Sequence, residues 1–308
     1  MQTYAPIALF TYNRADKTKR AVESLLQNIE AKYSDLFVFS DGPKTPEKKA
    51  GVEDNRKYIH SISGFNSVHI IEREKNWGLA NSLIAGITEV INKYGKVIVV
   101  EDDLILSPYF LQFMNEGLKK YKDDNRVGTI CGYVLPVKKV LPETFFLYFM
   151  HPWGWATWKR SWNLLNTDTN YLLRKMRFKV NKFNLGGNCG SYGNLYCQKV
   201  GLVDSWYIRF YASLFLNKKI NLFPGVTMVT NSGMDGSGIH CGKELQKTNN
   251  FDLGVTPIKI KNINVEESES VYQVFKAFYD EQVHISTFKK HIMNLKSFVR
   301  RLLYLDCL

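Results

Sequence analysis

The run KVIVVEDD, residues 96–103, constrains the fold of this chain more than any other stretch. Val97 to Val100 are consecutive β-rich apolar residues. Such a run suits a strand buried on both faces, as the strands of a parallel sheet are. Glu101, Asp102 and Asp103 follow at its carboxyl end, the edge at which open α/β sheets bind ligands. Crowded carboxylates are costly unless a cation or hydrogen-bond donors offset them. A hard divalent ion that also bridges phosphate oxygens does this with one or two carboxylates. The simpler alternative is a strand that ends in an acidic turn.

The surrounding pattern favours the first alternative. Strand-like segments at 5–12, 36–40 and 67–72 alternate with helical spacing at 15–30, about 46–62 and 78–93 before the strand at 96–100. Strand–helix alternation implies a parallel, Rossmann-like nucleotide-binding half. A Gly-x-Gly-x-x-Gly loop is absent, which argues against a dinucleotide dehydrogenase. Beyond residue 108 the rhythm changes. A helix is expected at 109–121, strands at 127–134 and 145–150, a tryptophan-rich segment HPWGWATWKRSW at 151–162, and a Gly/Asn-rich loop at 182–197. A helix at 204–216, a strand region at 219–230, the glycine-rich loop NSGMDGSGIHCG at 231–242 and a helical tail from about 265 complete the chain.

The 308 residues suffice for one large α/β domain or two small ones, and 45% hydrophobic content indicates a packed core. The net charge of +12 favours anionic partners such as nucleotides, diphosphate lipids or an acidic membrane face. The Lys and Arg residues are spread along the chain without a nucleic-acid-binding motif, which argues against that partner. Five cysteines without a CxxC spacing suit free thiols in a reducing compartment. No apolar stretch approaches the ~20 residues that span a bilayer, and the amino terminus lacks a signal sequence. The expectation is a cytoplasmic protein, soluble or peripheral on the inner face of the plasma membrane.

Taken together, the alternating first half, the acidic triplet, HPWGWATW and the later VDSW resemble GT-A-fold glycosyltransferases over residues 5–242. The triplet is similar to that superfamily's DxD motif in its EDD form. The likeness is to the inverting branch that includes N-acetylglucosaminyltransferase I, and to bacterial transferases that build surface polysaccharides. It implies an α/β GT-A fold: a Rossmann-like nucleotide-binding half (1–108) with a mixed central sheet, an acceptor-binding half (109–262) and a helical C-terminal tail (263–308). It also implies a metal-dependent transfer from a nucleotide-sugar, a UDP-sugar in this branch, to a glycan or lipid-linked glycan.

Site residues follow from the resemblance position by position. Thr11, Asn13 and Arg14, in ALFTYNRAD, match the strand end that touches the nucleobase and ribose, and Arg14 also suits a phosphate. Asp41 matches an acid set against uracil; its local alternative is an Asp in a tight Asp-Gly-Pro turn. Lys75 and Asn76, in REKNWGLAN, match a loop that opens a helix near the diphosphate, with Asn76 as a helix N-cap the alternative. Asp103 would hold Mn²⁺ or Mg²⁺, and Glu101 and Asp102 would face the ribose or metal-bound water. Trp153, Gly154 and Trp155 match the sugar and acceptor loop, with packing in the core the alternative for both tryptophans, while Trp158 and Trp162 read as core residues. Asp204 matches the catalytic base ahead of a helical Trp, with an N-cap role as its alternative and Asp235, on the acceptor side, as the other candidate base. The resemblance makes His240 a candidate further metal or phosphate ligand, with a structural or exposed loop role as its alternative.

The tail FKKHIMNLKSFVRRLLYL reads as a basic amphipathic helix, lying either on an anionic membrane or against the domain with its charges in water. Two other functions stay open at this point. A sugar nucleotidyltransferase shares the fold half, but ALFTYNRAD lacks its basic, Gly-rich signature. A basic nucleic-acid-binding protein would explain the charge alone.

Overall fold

The structure, a computed structural model, describes residues 4–187, 189–235 and 253–282. Strands β1 (Ile7–Thr11), β2 (Asp35–Ser40), β3 (Ser67–Glu72) and β4 (Lys96–Glu101) alternate with helices α1 (Ala15–Leu26), α2 (Lys49–Ile59) and α3 (Leu79–Tyr94). A short strand β5 (Leu104–Leu106) and helix α4 (Phe110–Lys120) follow, then β6 (Val127–Cys131), β7 (Thr144–Leu147) and β8 (Trp155–Trp158). Helices α5 (Lys159–Trp162), α6 (Thr169–Met176), α7 (Val180–Phe183), α8 (Ser191–Lys199) and α9 (Trp206–Leu216) lead to β9 (Ile220–Pro224), β10 (Val229–Asn231) and α10 (Glu269–Gln282).

The main sheet has the order β3-β2-β1-β4-β8-β6-β9-β7. Strands β1 to β4 are parallel, β8 runs antiparallel between β4 and β6, and β7 closes the far edge antiparallel to β9. The mixed α/β architecture expected from the sequence is therefore present. In register, Thr11 lies opposite Ser40 and Phe10 opposite Glu101, so β1, β2 and β4 end together at one edge of the sheet. Val97 to Val100 are wholly buried, as a central parallel strand requires. Leu83, Ile87, Val90 and Ile91 of α3 supply its buried stripe, and the helix ends at Gly95, whose φ of 75° lets its N–H turn back to Ile91 O.

Two expectations are corrected. The Gly/Asn-rich segment 182–197 is not a loop but carries α7 and α8. Its glycines do the punctuating: Gly186, Gly187 and Gly190 all have positive φ and lie between the two helices. Residues 155–158, within the tryptophan-rich segment, form β8 in the middle of the sheet, every one of them buried. The two-residue alternation of a half-exposed strand is absent because both faces are covered.

Trp155 is completely buried and stacks on Trp206 of α9 with ring centroids 5.2 Å apart. Phe210 and Trp162 approach it at 5.5 and 6.1 Å. This cluster ties β8, α5 and α9 together, and Trp158 and Trp162 are the core residues the sequence suggests. At the other end of the sheet Phe275 of α10 sits edge-on to Phe145 and Phe223. The described part of the C-terminal tail is thus docked on β7 and β9; the basic segment 285–308 lies outside the described residues. No helix among the described residues is long and apolar enough to cross a membrane. Cys131, Cys189 and Cys197 are free thiols.

Removing the Trp155 ring empties the centre of the aromatic cluster. Trp155→Ala is expected to cost about 3–5 kcal/mol of stability, measured by urea unfolding. A loss under 1 kcal/mol would contradict this account of the core.

Candidate functional site

The shared edge of β1 and β4 brings the triplet beside the loop that leaves β1. Arg14, the residue before α1, ion-pairs with Asp102 Oδ1 and, at 3.1 Å, with Asp103 Oδ2. Asp102 is almost fully buried and Asp103 slightly more open. Burial opposes the Arg14 charge, but the two carboxylates outweigh it and raise its pKa. Burial pushes Asp102 up to about 6 against the pull of that guanidinium. Glu101 is pushed up to about 8, by burial first and then by the Asp103 and Asp102 charges. Asp102 Oδ2 has no hydrogen-bond partner among the described residues.

The Arg14 backbone is fixed from beneath. Thr11 Oγ1 accepts from Asn55 Nδ2 at 3.0 Å, Thr18 Oγ1 donates to Asn55 Oδ1 at 2.6 Å, and Thr18 Oγ1 also reaches Arg14 O at 3.0 Å. Asn55 and Thr18 are completely buried. Thr11 therefore serves this network rather than offering a hydroxyl outward. Asn13 lies against Gly51 of α2, where an added Cβ would stand 3.1 Å from Asn13 O.

A second segment closes on the triplet from downstream. Strand β10 pairs with β5, placing Asn231 opposite Leu104. Ser232 N donates to Asp103 O at 2.7 Å and Ser232 Oγ to the same oxygen at 2.9 Å. Lys17 Nζ, from α1, donates to Ser232 O at 2.7 Å. Gly233 fits so closely that a Cβ there would stand 2.5 Å from Asp103 Oδ2. The glycine-rich loop expected to cover the diphosphate thus starts against the metal candidate. Asp235 ends the short turn Ser232–Asp235; its side chain, and His240, lie outside the described residues.

Asp41, expected to read uracil, is otherwise engaged. Its Oδ1 accepts from Gly42 N and Trp77 N at 3.0 and 2.9 Å, and its Oδ2 accepts from Trp77 N and Gly78 N at 3.1 and 3.0 Å. A carboxylate with its acceptor sites so filled holds a loop. Asn76 Nδ2 donates to Gly42 O at 2.8 Å, so Asn76 ties the same loop and does not cap α3, whose N-cap residue is Gly78. Gly42 is obligatory here, since a Cβ would meet Lys75 C at 2.6 Å and Glu74 O at 2.8 Å. Lys75 is exposed at the rim, and the Arg73 guanidinium stacks 4.0 Å from the ring centre of the exposed Trp77.

Trp153 lies two residues before β8, the strand that pairs antiparallel with β4. Trp153 is half-buried and meets Tyr133 and His151 edge-on, with centroids 4.6 and 4.9 Å away. Burial pulls His151 down to about 3, so this ring is neutral at physiological pH. Trp155 is a correction: with no exposed surface it packs the core and cannot stack on a sugar. Gly154, at φ 58°, is required by its own neighbours, because a Cβ would stand 2.8 Å from Val229 and its carbonyl accepts from Gly132 N at 2.7 Å. Asp204 is more than half exposed and its Oδ1 accepts from Arg209 Nη2 at 3.0 Å. The N-cap of α9 is Ser205, whose side chain accepts from Ile208 N, so Asp204 is not the cap. No hydrogen bond or ion pair joins Asp204 to the triplet among the described residues.

The sequence pattern of glycosyl transferase family 2 matches residues 7–191, which span all four parallel strands, the triplet and β8. The chain belongs to this family. It is a glycosyltransferase. No protein of curated function matches the sequence. Similar solved structures include the mannosyltransferase PcManGT from Pyrobaculum calidifontis in complex with GDP-Man and Mn²⁺, at 10% identity and TM-score 0.35, covering 70% of each chain. Staphylococcus aureus TarS is 13% identical with a TM-score of 0.36, covering 52% of this chain and 29% of its own. UDP-glucose pyrophosphorylase complexed with UDP-glucose is 10% identical with a TM-score of 0.31, covering 52% and 78%. Likenesses this distant carry no argument about activity.

As for a metal, the described residues contain no group of three His, Cys, Asp or Glu side chains around one point. The family 2 site instead offers two clustered carboxylates of hard oxygens, one with an orphaned buried atom, already holding a cationic guanidinium. That donor set fits a Mg²⁺-like ion that takes one or two carboxylates and fills its sphere with phosphate and water. Sequence reasoning missed Asn55, Lys17 and Ser232, which set the geometry of the triplet. Only their three-dimensional partners give them away.

A raised carboxyl pKa makes the ligand-free fold more stable in acid. The folded state keeps a proton on Glu101 that the unfolded chain releases, so stability falls as pH rises from about 4.5 to about 8. Glu101→Gln is expected to flatten this fall and to stabilise the ligand-free protein at pH 8 on the order of 1–2 kcal/mol, with little effect at pH 4. Thermal unfolding at both pH values checks it; equal effects at both would contradict the assignment.

Proposed function

We propose that this family 2 enzyme is a metal-dependent inverting glycosyltransferase that moves a sugar from a UDP-sugar to a glycan, with a lipid-diphosphate-linked oligosaccharide as the acceptor class. The observation that carries the reading is the Arg14–Asp102–Asp103 cluster at the common end of β1 and β4. It gathers a cation and hard anionic oxygens where a nucleoside diphosphate is bound in α/β sheets. The uridine preference and the inverted outcome rest on the resemblance to the EDD-bearing branch.

In this mechanism Asp103, with Asp102 beside it, would hold a Mn²⁺ or Mg²⁺ ion, which would supply Lewis-acid stabilisation of the diphosphate leaving group. Arg14 moves its guanidinium toward a phosphate oxygen, a bidentate partner it suits better than lysine would. Ser232 and Lys17 keep the downstream loop seated on Asp103 while the donor is bound. Trp153, beside Tyr133 and His151, presents an aromatic edge to the sugar or acceptor. The acceptor hydroxyl oxygen forms the new bond to the anomeric carbon as the bond from that carbon to the diphosphate oxygen breaks with its electron pair. Asp204 takes the hydroxyl proton. Two features support it as the base: its carboxylate is oriented by Arg209, and it lies just ahead of Trp206, which stacks on Trp155 opposite Val99 of β4.

The two acids separate by experiment. Asp103→Asn is expected to lower Mn²⁺-dependent UDP affinity by about 10–100-fold, read by titration calorimetry, and to abolish transfer. Asp204→Asn is expected to bind UDP normally while kcat falls about 10²–10⁴-fold, read by release of UDP. Wild-type turnover by the Asp204→Asn protein would overturn the base assignment. Unchanged Mn²⁺ dependence in Asp103→Asn would overturn the metal assignment.

A further inference from the structure

Residues 169–203 contain no Asp or Glu and carry Arg174, Lys175, Arg177, Lys179, Lys182 and Lys199, six positive charges against a chain total of +12. Asp168 and Asp204 bracket the stretch. The charges are concentrated in space as well. Helices α6 and α8 pack against each other, so the two ends of the stretch are neighbours. Lys182 is drawn inward, to Glu267 at 3.1 Å and over the Tyr148 ring. Arg174, Lys175, Arg177 and Lys179 make no ion pair among the described residues.

Among these cations the chain exposes large apolar side chains that a water-facing surface has no use for. Phe178 is 83% exposed and lies beside the Arg177 guanidinium, which stands 4.5 Å from its ring centre. Leu202 is 75% exposed and Val200 47%, both in the turn after α8. Single exposed apolar residues are common on soluble proteins. A phenylalanine and a leucine set in an acid-free basic surface are a different pattern, since each partner needs what the other supplies. Lys179, the residue after Phe178, is in the wall of a recess of about 270 Å³ that also includes Lys175, Tyr171, Asn166, Ser213 and Asn217. Both lysines are exposed, Lys175 in the last turn of α6 and Lys179 just ahead of α7.

We propose that this surface docks the enzyme on an anionic phospholipid membrane. Phe178 and Leu202 enter the boundary between headgroups and acyl chains, Arg174 and Arg177 pair with lipid phosphates, and a headgroup phosphate sits at the recess between Lys175 and Lys179. Positive residues with exposed apolar tips match this partner on both counts; nucleic acid would use the charges but leave Phe178 and Leu202 in water. The proposal concerns a surface separate from the basic segment 285–308 and does not depend on which sugar is moved.

The test is sedimentation of the full-length protein with phosphatidylcholine vesicles, with and without phosphatidylglycerol. One variant combines Arg174→Gln, Lys175→Gln, Arg177→Gln and Lys179→Gln; a second carries Phe178→Ser alone, at a site too exposed to unfold the chain. A third combines Lys289→Gln, Lys290→Gln, Arg300→Gln and Arg301→Gln in the C-terminal segment. A cation at such a surface is worth about fivefold in partition, so the first variant, which removes four, is expected to lose about 600-fold in binding to the anionic vesicles. Phe178→Ser is expected to lose about tenfold, and the third variant to bind within a few-fold of wild type. Turnover on a water-soluble acceptor stays unchanged in the first two variants, which separates this docking from the transfer reaction itself. Undiminished vesicle binding by the first variant would overturn the proposal. So would a wild-type protein that binds RNA but ignores anionic vesicles.

Discussion

Two carboxylates and one guanidinium meet at the buried end of β4, and much of the molecule is arranged to keep them there. A strand as apolar as Val97–Val100 delivers Glu101 and Asp102 into a poorly solvated place. Arg14 makes that tolerable, and Arg14 can reach them only because β1 runs parallel to β4 and ends in step with it. The Thr11–Asn55–Thr18 network fixes the turn that aims Arg14. Ser232 and Lys17 then lock a segment more than a hundred residues downstream onto the backbone of Asp103. The cost is visible in Glu101 and Asp102, whose carboxyls are both raised by burial. Under the proposed function, a bound divalent ion and diphosphate would relieve that electrostatic load.

The same physics decides which features the sequence reveals. Local periodicity and residue class were enough for the four parallel strands, for α3 and for the acidic triplet, because each is written in consecutive residues. The family resemblance and the family 2 match over residues 7–191 agree with that reading. Tryptophan was harder. In HPWGWATW the chemistry of Trp153 and Trp155 is identical, and only the start of β8 at Trp155, between β4 and β6, decides that one is half-buried ahead of the strand and the other is core. Asp41 was misleading for a related reason. An acid at a strand end suits a ligand, but the close approach of the 73–78 loop over Gly42 gives its oxygens to backbone amides first. The helices within 180–199 were hidden because Gly186, Gly187 and Gly190 crowd the short connection between them and Gly193 sits inside α8, so composition alone suggests a loop.

Asp204 shows how a local rule can give the right place and the wrong role. Asp before a helix is a good cap, yet Ser205 takes that duty and leaves Asp204 half in water, bonded to Arg209. Its carboxylate offsets the charge of the nearly buried Arg209, and in sequence it directly follows the acid-free stretch 169–203.

The central claim is that the Arg14–Asp102–Asp103 cluster receives a metal-bound nucleoside diphosphate. The most direct measurement is the thermal unfolding temperature of the wild-type protein across UDP, GDP, ADP and CMP, each with and without Mn²⁺. Ligand that binds only the folded state raises that temperature by mass action. A rise with UDP that needs Mn²⁺ is the predicted result. A UDP effect of the same size in the presence of a chelator, or no effect from any nucleotide, would contradict the account.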